Sequence, residues 1–276
     1  MNDIRKLAFI GGGSMASALV GGLVRQGMDP ARITVADPRA ELLNGLAADF
    51  GVLTTTDNAV AVADADVVVL AVKPQQMREV AVHLSPYLTR SPPLVVSIAA
   101  GISHATLSRW IGAHVPAVRT MPNRPALDGA GATGLYAPES VGVAHRALAH
   151  RIMAAVGTAV WVTHESQMDT VTALSGSGPA YFFLFMEALE AAAVERGLPN
   201  DVARQLTLAT AYGSARMARE SVASLSVLRE QVTSTGGTTA AALAVLDAAG
   251  LRAMVALAVG AAARRSAELA AEYGTL

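Results

Sequence analysis

Short apolar runs alternate with segments of helical periodicity through residues 5–162. Seven runs predict β-strands, at Leu7–Ile10, Ile33–Ala36, Val52–Thr54, Val67–Val72, Leu94–Ile98, Ala117–Met121 and Ala159–Val162. Between them, stretches that repeat Ala and Leu at helical spacing predict helices, among them Ser14–Gln26, Ala40–Asp49 and Gln76–Leu84. Strands that alternate with helices are typical of a parallel sheet covered on both faces. The pattern therefore predicts an N-terminal α/β domain with a doubly wound parallel sheet.

After Trp161 the strand-like runs disappear and the sequence becomes rich in alanine and helical. Helices are predicted at Pro179–Arg196, Asp201–Ser221, Leu225–Gln231, Thr239–Ala249 and Leu251–Glu272. Several of them, such as the stretch 181–186, are apolar all round, which is unusual for a surface helix of a monomer. We therefore predict a domain of residues 1–163 followed by an all-α oligomerisation domain of residues 164–276, with helices buried between copies of the chain.

The amino-acid composition mainly excludes some classes of partner and chemistry. The chain has 276 residues and a net charge of −1 with no basic run, so we expect no nucleic-acid partner. It lacks cysteine, which excludes disulfides and thiolate chemistry, and its six histidines show no ligand spacing, so we expect no metal. The longest apolar stretch, 253–263, is too short to span a bilayer and is interpreted as a buried helix. With no signal peptide before the first strand, we expect a cytoplasmic protein without membrane attachment.

A glycine-rich turn joins the first predicted strand to the first predicted helix. Its spacing, Gly11-x-Gly13-x-x-Ala16, is the dinucleotide-binding fingerprint with alanine at the third position. The first glycine permits the turn, the second lets the backbone approach a pyrophosphate, and the helix N-terminus points at the phosphates. Asp37 follows the second strand, about 20 residues further on, where an acid accepts the ribose hydroxyls of NAD. The alternative is that Asp37 caps the next helix.

The strand ends supply further candidates, because ligands of a doubly wound sheet bind beyond the carboxyl ends of its strands. Arg39 leaves the choice between NADH and NADPH open, since a guanidinium there could hold a 2′-phosphate. Three strand ends carry Lys73-Pro74-Gln75, Ala99-Ala100-Gly101 and Met121-Pro122-Asn123, where prolines and small residues suit a flat cofactor. Lys73 could equally be a solvated lysine. Asn58, after the third strand, could approach the adenosine half or form a turn.

Two segments of the helical half place small and hydroxyl-bearing residues just before a long helix. They are Ser175–Pro179 and Thr233–Thr239. Each is predicted to present free backbone N–H groups at a helix N-terminus, which favours an anion. Simple capping is the alternative. One cap needs one hydroxyl, whereas every residue of the second segment except its two glycines carries one, and we therefore predict ligand binding there.

These two segments and their flanks resemble the signature pair of the pyrroline-5-carboxylate reductase family. The resemblance covers residues 171–182 and 232–239 and extends, in the family's order, to the blocks 9–13, 70–75, 97–101 and 121–123. Arg124 and Thr235 depart from it, because the family usually has threonine and proline at these positions. The first departure concerns the neighbourhood of the nicotinamide, and the second adds freedom to the substrate loop.

The resemblance implies a Rossmann-type domain, a helical domain that forms dimers and larger rings such as decamers, and reduction of 1-pyrroline-5-carboxylate to L-proline with NADPH or NADH. It also implies site residues. The dinucleotide would be lined by Ile10, Gly11, Gly12, Gly13, Ser14, Met15, Asp37, Arg39, Asn58, Ala71, Val72, Lys73, Pro74, Ala99, Ala100, Asn123 and Gln231. The substrate would contact Ser234, Gly237, Thr238 and Thr239, with Glu165 nearby.

The chemistry of imine reduction accounts for the lack of a histidine or carboxylate dyad among the motifs. An imine is basic enough that its nitrogen gains a proton without a strong side-chain acid, so orientation of the reactants is the main requirement. We assign Thr239 to orienting the imine nitrogen. Ser234 and the N–H groups around Gly237 and Thr238 are assigned to the carboxylate. The active site is expected between domains, which can come from different subunits.

Two other functions stay open at this point. A two-domain dehydrogenase of the β-hydroxyacid type usually needs a catalytic lysine or histidine in or near its helical domain, and residues 165–276 contain neither. A cofactor-sensing module without turnover is the non-enzymatic alternative, against which the intact hydroxyl-rich segment argues.

Overall fold

The computed structural model describes residues 4–90 and 92–275. Contacts divide these into two compact units: one runs up to Ser177 and resumes at Gly260, and the other is Gly178–Val259. These bounds differ from the predicted boundary between residues 163 and 164. The end of the last helix packs within the first unit, where the Ser266 hydroxyl donates a 2.8 Å hydrogen bond to Asp169. The division into domains of residues 1–163 and 164–276 stays a prediction.

The first unit is built on one sheet of eight strands. They are β1 (Leu7–Ile10), β2 (Ile33–Ala36), β3 (Leu53–Thr55), β4 (Val67–Leu70), β5 (Leu94–Ser97), β6 (Ala117–Met121), β7 (Gly131–Tyr136) and β8 (Gly157–Trp161). Their order is β3-β2-β1-β4-β5-β6-β7-β8. After β3 the chain crosses to the other side of β1, and the crevice beyond the carboxyl ends of β1 and β4 is the place where such sheets bind ligands.

Helices cover both faces of this sheet. They are α1 (Ser14–Arg25), α2 (Ala40–Phe50), α3 (Asn58–Val62), α4 (Pro74–Arg90), α5 (His104–Ile111), α6 (Val143–Ala154) and α7 (Gln167–Val171). Successive strand residues point to opposite faces. Leu7 and Phe9 therefore enter one hydrophobic core, and Ala8 and Ile10 enter the other. Burial on both faces explains why the strands are continuous apolar runs rather than alternating ones.

The doubly wound α/β architecture is confirmed, but the sheet is not wholly parallel as predicted. β7 runs antiparallel to β6, and β8 is parallel to β7. β7 was not predicted from the sequence, because Gly131 and Gly134 interrupt its apolar pattern. A tertiary contact requires glycine at position 134, since an added Cβ would lie 2.5 Å from the side chain of Val171. The other predicted strands coincide with the observed ones or differ by one or two residues at an end.

The second unit is helical, as the sequence predicts. It contains α8 (Gly178–Glu195), α9 (Asn200–Glu220), α10 (Leu225–Gln231), α11 (Thr238–Ala248) and the first part of α12 (Leu251–Gly274). Its apolar side chains are largely exposed in the single chain: Phe182 is 71% exposed and Leu257 is 72% exposed. The helix over residues 253–263 is thus mostly exposed in one chain, its burial between copies of the chain stays a prediction, and apolar faces of this extent indicate an interaction surface.

Among the described residues, no single helix has the length and apolar composition of a membrane span, although α11 and α12 together have both across a 53° bend. Within the same residues, no group of three or more His, Asp or Glu side chains is placed to hold a metal ion.

Candidate active site

The turn after β1 has the shape that the fingerprint predicts. Gly11 has φ +101°, and an added Cβ would lie 2.6 Å from the carbonyl oxygen of Ala71, so only glycine fits. Gly13 is different, because nothing lies within 4 Å of its Cβ position. It precedes α1, whose first turn has no side-chain cap. Open space beside uncapped N–H groups is the geometry that accepts a pyrophosphate.

Asp37 lies beyond β2 with only 3% of its surface exposed. One carboxylate oxygen accepts hydrogen bonds from the Gly12 N–H (2.9 Å) and Arg39 Nη2 (2.9 Å), and the other accepts from the Arg39 N–H (3.0 Å) and Nε (2.8 Å). Burial by itself would raise the pKa of Asp37, but the hydrogen bonds from the Arg39 side chain and from the two N–H groups outweigh it and lower the pKa to about 2. The carboxylate is therefore ionised at neutral pH.

The four donors around Asp37 affect how a ribose could bind. A carboxylate offers about four lone-pair sites, and the protein already fills them. Ribose hydroxyls can bind to Asp37 only if the Arg39 side chain gives up its two positions. That side chain is 64% exposed and has room to move. The surroundings of Asp37 are consistent with both interpretations given above. It adjoins the fingerprint turn, as a ribose ligand would, and it also binds the N–H of Arg39, the residue before α2, as a helix cap would.

Hydrogen bonds place the segments after β4 and β5 beside the end of β1. The Ala71 N–H donates to the Ile10 carbonyl (2.7 Å), and the Ile98 N–H donates to the Leu70 carbonyl (3.2 Å). Lys73 is exposed and Pro74 begins α4. This edge of the sheet brings together most of the predicted dinucleotide residues: Ile10, Gly11, Gly12, Gly13, Ser14, Met15, Asp37, Arg39, Ala71, Val72, Lys73, Pro74, Ala99 and Ala100.

The two predicted asparagines have structural surroundings. Asn58 is the first residue of α3, and its neighbour Asp57 caps that helix by accepting from the Ala59 N–H (2.8 Å). Asn123 is buried, and its side-chain amide donates to the Ser175 carbonyl (2.9 Å) and accepts from the Ala132 N–H (2.8 Å). Asn123 thus holds two segments of the first unit together. Contact of either asparagine with the dinucleotide stays a prediction.

The predicted anion site at Ser175–Pro179 is wrong. A π-helical turn, Thr172–Gly176, continues α7, and Gly178 already belongs to α8. The Ser177 N–H donates to the Thr172 carbonyl (2.8 Å), and the Ser175 hydroxyl donates to the Val171 carbonyl (2.9 Å). The groups that were expected to face a ligand are therefore used within the helix. Helical periodicity alone does not distinguish a π-helical turn from a loop rich in glycine and serine.

The predicted hydroxyl-rich loop is present between α10 and α11. The Gly237 N–H donates to the Ser234 carbonyl (3.0 Å) and Gly236 has φ +71°, which is the geometry of a type II turn. Gly237 precedes α11, and no side chain caps that helix. An added Cβ on Gly237 would collide with the Ser234 hydroxyl. Thr238 and Thr239 begin α11, and Gln231 ends α10 on the other side of the loop, all in the second unit.

Glu165, expected near the substrate, belongs to an ion pair of the first unit. Its Oε1 accepts from Arg119 Nη1 (3.0 Å) and from the His104 N–H (2.6 Å). Arg119 lies in the middle of β6 with a side chain that is 6% exposed. This arginine was not predicted from the sequence, although one signal was available: a buried guanidinium within an apolar strand needs a counter-ion.

Tyr273, near the end of α12, is a second residue that the sequence analysis missed. Its hydroxyl accepts a 2.8 Å hydrogen bond from Gln75, in the segment after β4. Its ring lies 3.0 Å from the Cβ position of Gly101, in the segment after β5. The last turn of α12 therefore contacts both segments within the first unit. A single tyrosine near the end of the sequence carries no pattern that could have predicted this.

Comparison with known proteins extends over nearly the whole chain. Two family models match, "pyrroline-5-carboxylate reductase dimerisation" at residues 165–269 and "NADP oxidoreductase coenzyme F420-dependent" at residues 6–101. The pyrroline-5-carboxylate reductase of Pseudomonas aeruginosa is 49% identical over 269 residues, which are 98% of each chain. Among solved structures, the enzyme of Coxiella burnetii has a TM-score of 0.93 and 45% identity, covering 96% of this chain and 98% of that one. The Plasmodium falciparum enzyme with NADP bound has a TM-score of 0.85 and 30% identity, covering 98% and 99%.

The parallel-dominated sheet and its fingerprint turn define a nicotinamide-dinucleotide-dependent oxidoreductase with a Rossmann-type domain. The helical segment that follows narrows the class further, because its match is to a dimerisation domain. The chain belongs to the pyrroline-5-carboxylate reductase family. The resemblance recognised in the sequence is thereby confirmed.

Proposed function

We infer that this chain reduces 1-pyrroline-5-carboxylate to L-proline with NADPH or NADH, the last step of proline biosynthesis. The observation that carries the inference is the match to a pyrroline-5-carboxylate reductase at 49% identity over 98% of both chains. Nothing among the comparisons favours the β-hydroxyacid dehydrogenase or the sensing module. The dimerisation match supports self-association. Assembly beyond a dimer and a cytoplasmic location stay predictions.

The dinucleotide is assigned to the edge of the sheet described above. The N–H groups at the start of α1, next to the open space at Gly13, bind the pyrophosphate. Asp37 and Arg39 face the adenosine ribose, and the segments after β4 and β5 border the nicotinamide. When bound, the reduced nicotinamide supplies the hydride. The fit rests on the open space at Gly13, where a larger side chain would fill the volume that a pyrophosphate needs.

The substrate is assigned to the hydroxyl-rich loop. The Ser234 hydroxyl and the N–H groups of Gly237 and Thr238 hold the carboxylate, which the positive end of α11 also favours. The Thr239 hydroxyl orients the imine nitrogen. As the imine carbon gains hydride, its π electrons move to the nitrogen, which takes one proton from solvent and becomes a secondary amine. These groups work by positioning, so no strong acid is required.

The proposed function is tested by following oxidation of NADPH and of NADH at the nicotinamide absorbance, with purified protein and racemic 1-pyrroline-5-carboxylate. We expect turnover that depends on the imine, with proline as the product. Folded, oligomeric protein that binds a dinucleotide but turns nothing over would identify the sensing module. Turnover of a β-hydroxyacid in place of the imine would identify the other dehydrogenase class.

Replacing Thr239 tests the role given to its hydroxyl. Thr239→Ala removes the group that orients the nitrogen, and we expect kcat to fall by about 100-fold. Thr239→Ser keeps a hydroxyl at the same position and is the matched control, with kcat expected within a few-fold of the unaltered enzyme. An alanine variant that turns over at the original rate would show that the assignment of Thr239 is wrong.

A further inference from the structure

Glu165 joins three elements of the first unit through one carboxylate. It lies between β8 and α7, and its Oε1 accepts from Arg119 Nη1 of β6 at 3.0 Å. The same oxygen accepts from the N–H of His104, the first residue of α5, at 2.6 Å. The Glu165 side chain is 27% exposed, whereas Arg119 is buried. The carboxylate therefore connects the interior of the sheet to the start of a helix.

The electrostatics make this connection strong. A buried guanidinium is costly without a counter-ion, and within the described residues Glu165 is the carboxylate paired with Arg119. Burial lowers the pKa of His104, although the charge of Glu165 opposes that shift. A carboxylate at the N-terminus of α5 is also favoured by the helix dipole. The 2.6 Å bond from the His104 N–H is short because its acceptor is charged.

His104, whose N–H donates to Glu165, directly follows the segment that joins β5 to α5. That segment, residues 98–103, begins where the Ile98 N–H donates to the Leu70 carbonyl and ends at the His104 N–H that Glu165 holds. Between these points Gly101 has φ +75° and lies against the ring of Tyr273. Ala99 and Ala100, which the proposed function places beside the dinucleotide, lie on this segment. Its position relative to the sheet therefore depends on the bond to Glu165.

We propose that Glu165 is a positioning residue for the dinucleotide: with Arg119 it fixes the segment 98–103. The proposal rests on the proposed function for the identity of the cofactor. The expectation, drawn from the family resemblance, that Glu165 lies near the substrate stays a prediction beside this role. A substrate ligand would affect the KM for the imine, whereas a residue that positions the segment 98–103 affects dinucleotide binding even when no imine is present.

The test measures the dissociation constants of NADPH and NADH, without substrate, by quenching of protein fluorescence. Glu165→Gln keeps the shape but removes the charge that pairs with Arg119, and we expect dinucleotide affinity to fall by about tenfold. We expect kcat to fall by about 10- to 100-fold, because the nicotinamide is held less accurately. A role confined to positioning leaves the KM for 1-pyrroline-5-carboxylate at saturating dinucleotide within about twofold. Glu139→Gln, an exposed carboxylate of the same unit, is the matched control and leaves all three values unchanged.

A second variant keeps the test decisive if Glu165→Gln does not fold. Glu165→Asp retains the charge that Arg119 needs but is one methylene too short to reach both donors, so it folds and weakens dinucleotide binding in the same way. Hydrogen exchange in a peptide covering residues 98–107 rises in both variants, because the acceptor of the His104 N–H is uncharged in the first variant and too distant in the second. A rise in the KM for the imine with unchanged dinucleotide affinity would overturn the proposal. Unchanged affinity and exchange would overturn it as well. Because binding is measured without the imine, these outcomes are independent of whether the protein reduces it.

Discussion

Gly11 and Gly13 belong to one turn but meet different surroundings. The Cβ position of Gly11 points into the backbone of Ala71, and its φ of +101° is one that other residues rarely adopt. The Cβ position of Gly13 points into open space, and its φ of −71° suits any residue. The first glycine is therefore needed for folding, whereas we predict that the second is needed for the ligand, a distinction that the fingerprint spacing alone does not make.

Alanine at each position separates these two roles. Gly11→Ala is expected to lower the free energy of unfolding by about 2 kcal/mol or more, because it combines backbone strain with a steric clash. Gly13→Ala is expected to unfold at the original temperature yet bind NADPH at least about tenfold more weakly, since its methyl group occupies the approach to the pyrophosphate. Thermal unfolding and dinucleotide titration check both. Equal losses of stability in the two variants would contradict this account.

Arg39 is expected to control the choice of dinucleotide. Arg39→Ala frees two of the four acceptor positions on Asp37, which the ribose hydroxyls of NADH can then use. It also removes the cation that would pair with the 2′-phosphate of NADPH. We expect the ratio of kcat/KM for NADH to that for NADPH to rise by about tenfold or more. Arg25→Ala, at the end of α1, is the control. A ratio that stays constant would show that Arg39 contacts neither cofactor.

At the scale of elements, the loop between α10 and α11 shows what a departure from the family's sequence does. Thr235 occupies the second position of the turn Ser234–Gly237, directly before Gly236 with its positive φ. Proline is favoured at that position of a type II turn because its ring fixes the required φ. The turn forms here without proline, so the hydrogen bond from Gly237 to Ser234 and the freedom of Gly236 suffice.

Restoring the proline is expected to stabilise the protein. Thr235→Pro reduces the conformational freedom of the unfolded chain and should raise the free energy of unfolding by about 0.4–1 kcal/mol. The KM for the imine should stay the same or fall, since the proposed carboxylate donors become better ordered. Thr235→Ala, which changes the side chain without fixing φ, is the control. Denaturant unfolding checks the prediction, and a loss of stability would mean that Thr235 does not adopt the φ of this turn position.

For the whole molecule, the main question is what covers the apolar helices of residues 178–259. Phe182 and Leu184 on α8 are 71% and 68% exposed in the single chain. Side chains of this size are costly to leave in water, and the same segment matches a dimerisation domain. These observations support self-association, and we predict that the stability of this protein depends on it, as in obligate oligomers that have no stable folded monomer.

A charge placed on α8 tests that conclusion. Phe182→Asp puts a carboxylate into the predicted interface, and we expect the dissociation constant of the oligomer to rise by about 100-fold or more, with lower thermal stability at low concentration. Val143→Asp is the matched control, because Val143 is 83% exposed at the start of α6 in the other unit. Light scattering across a dilution series measures both. An unchanged mass for the Phe182 variant would place the interface elsewhere.

The amino-acid sequence by itself determined the features that depend on neighbours along the chain. The strands Leu7–Ile10 and Ile33–Ala36, the turn at Gly11 and the helices from Gly178 to Gly274 follow from apolar periodicity and glycine placement, which act locally. The hydroxyl-rich loop before Thr239 could also be predicted from the sequence, because its composition is a local feature of the chain. Family resemblance then supplied the chemistry, because fold alone does not specify a reaction.

Only the tertiary structure decided the features that join distant parts of the chain. The antiparallel β7, the pair of Arg119 with Glu165 across 46 residues and the contact of Gln75 with Tyr273 across 198 residues all depend on which segments become neighbours. Local backbone preferences carry no information about such pairings, because their free energy arises only when the two partners are brought together and shielded from water.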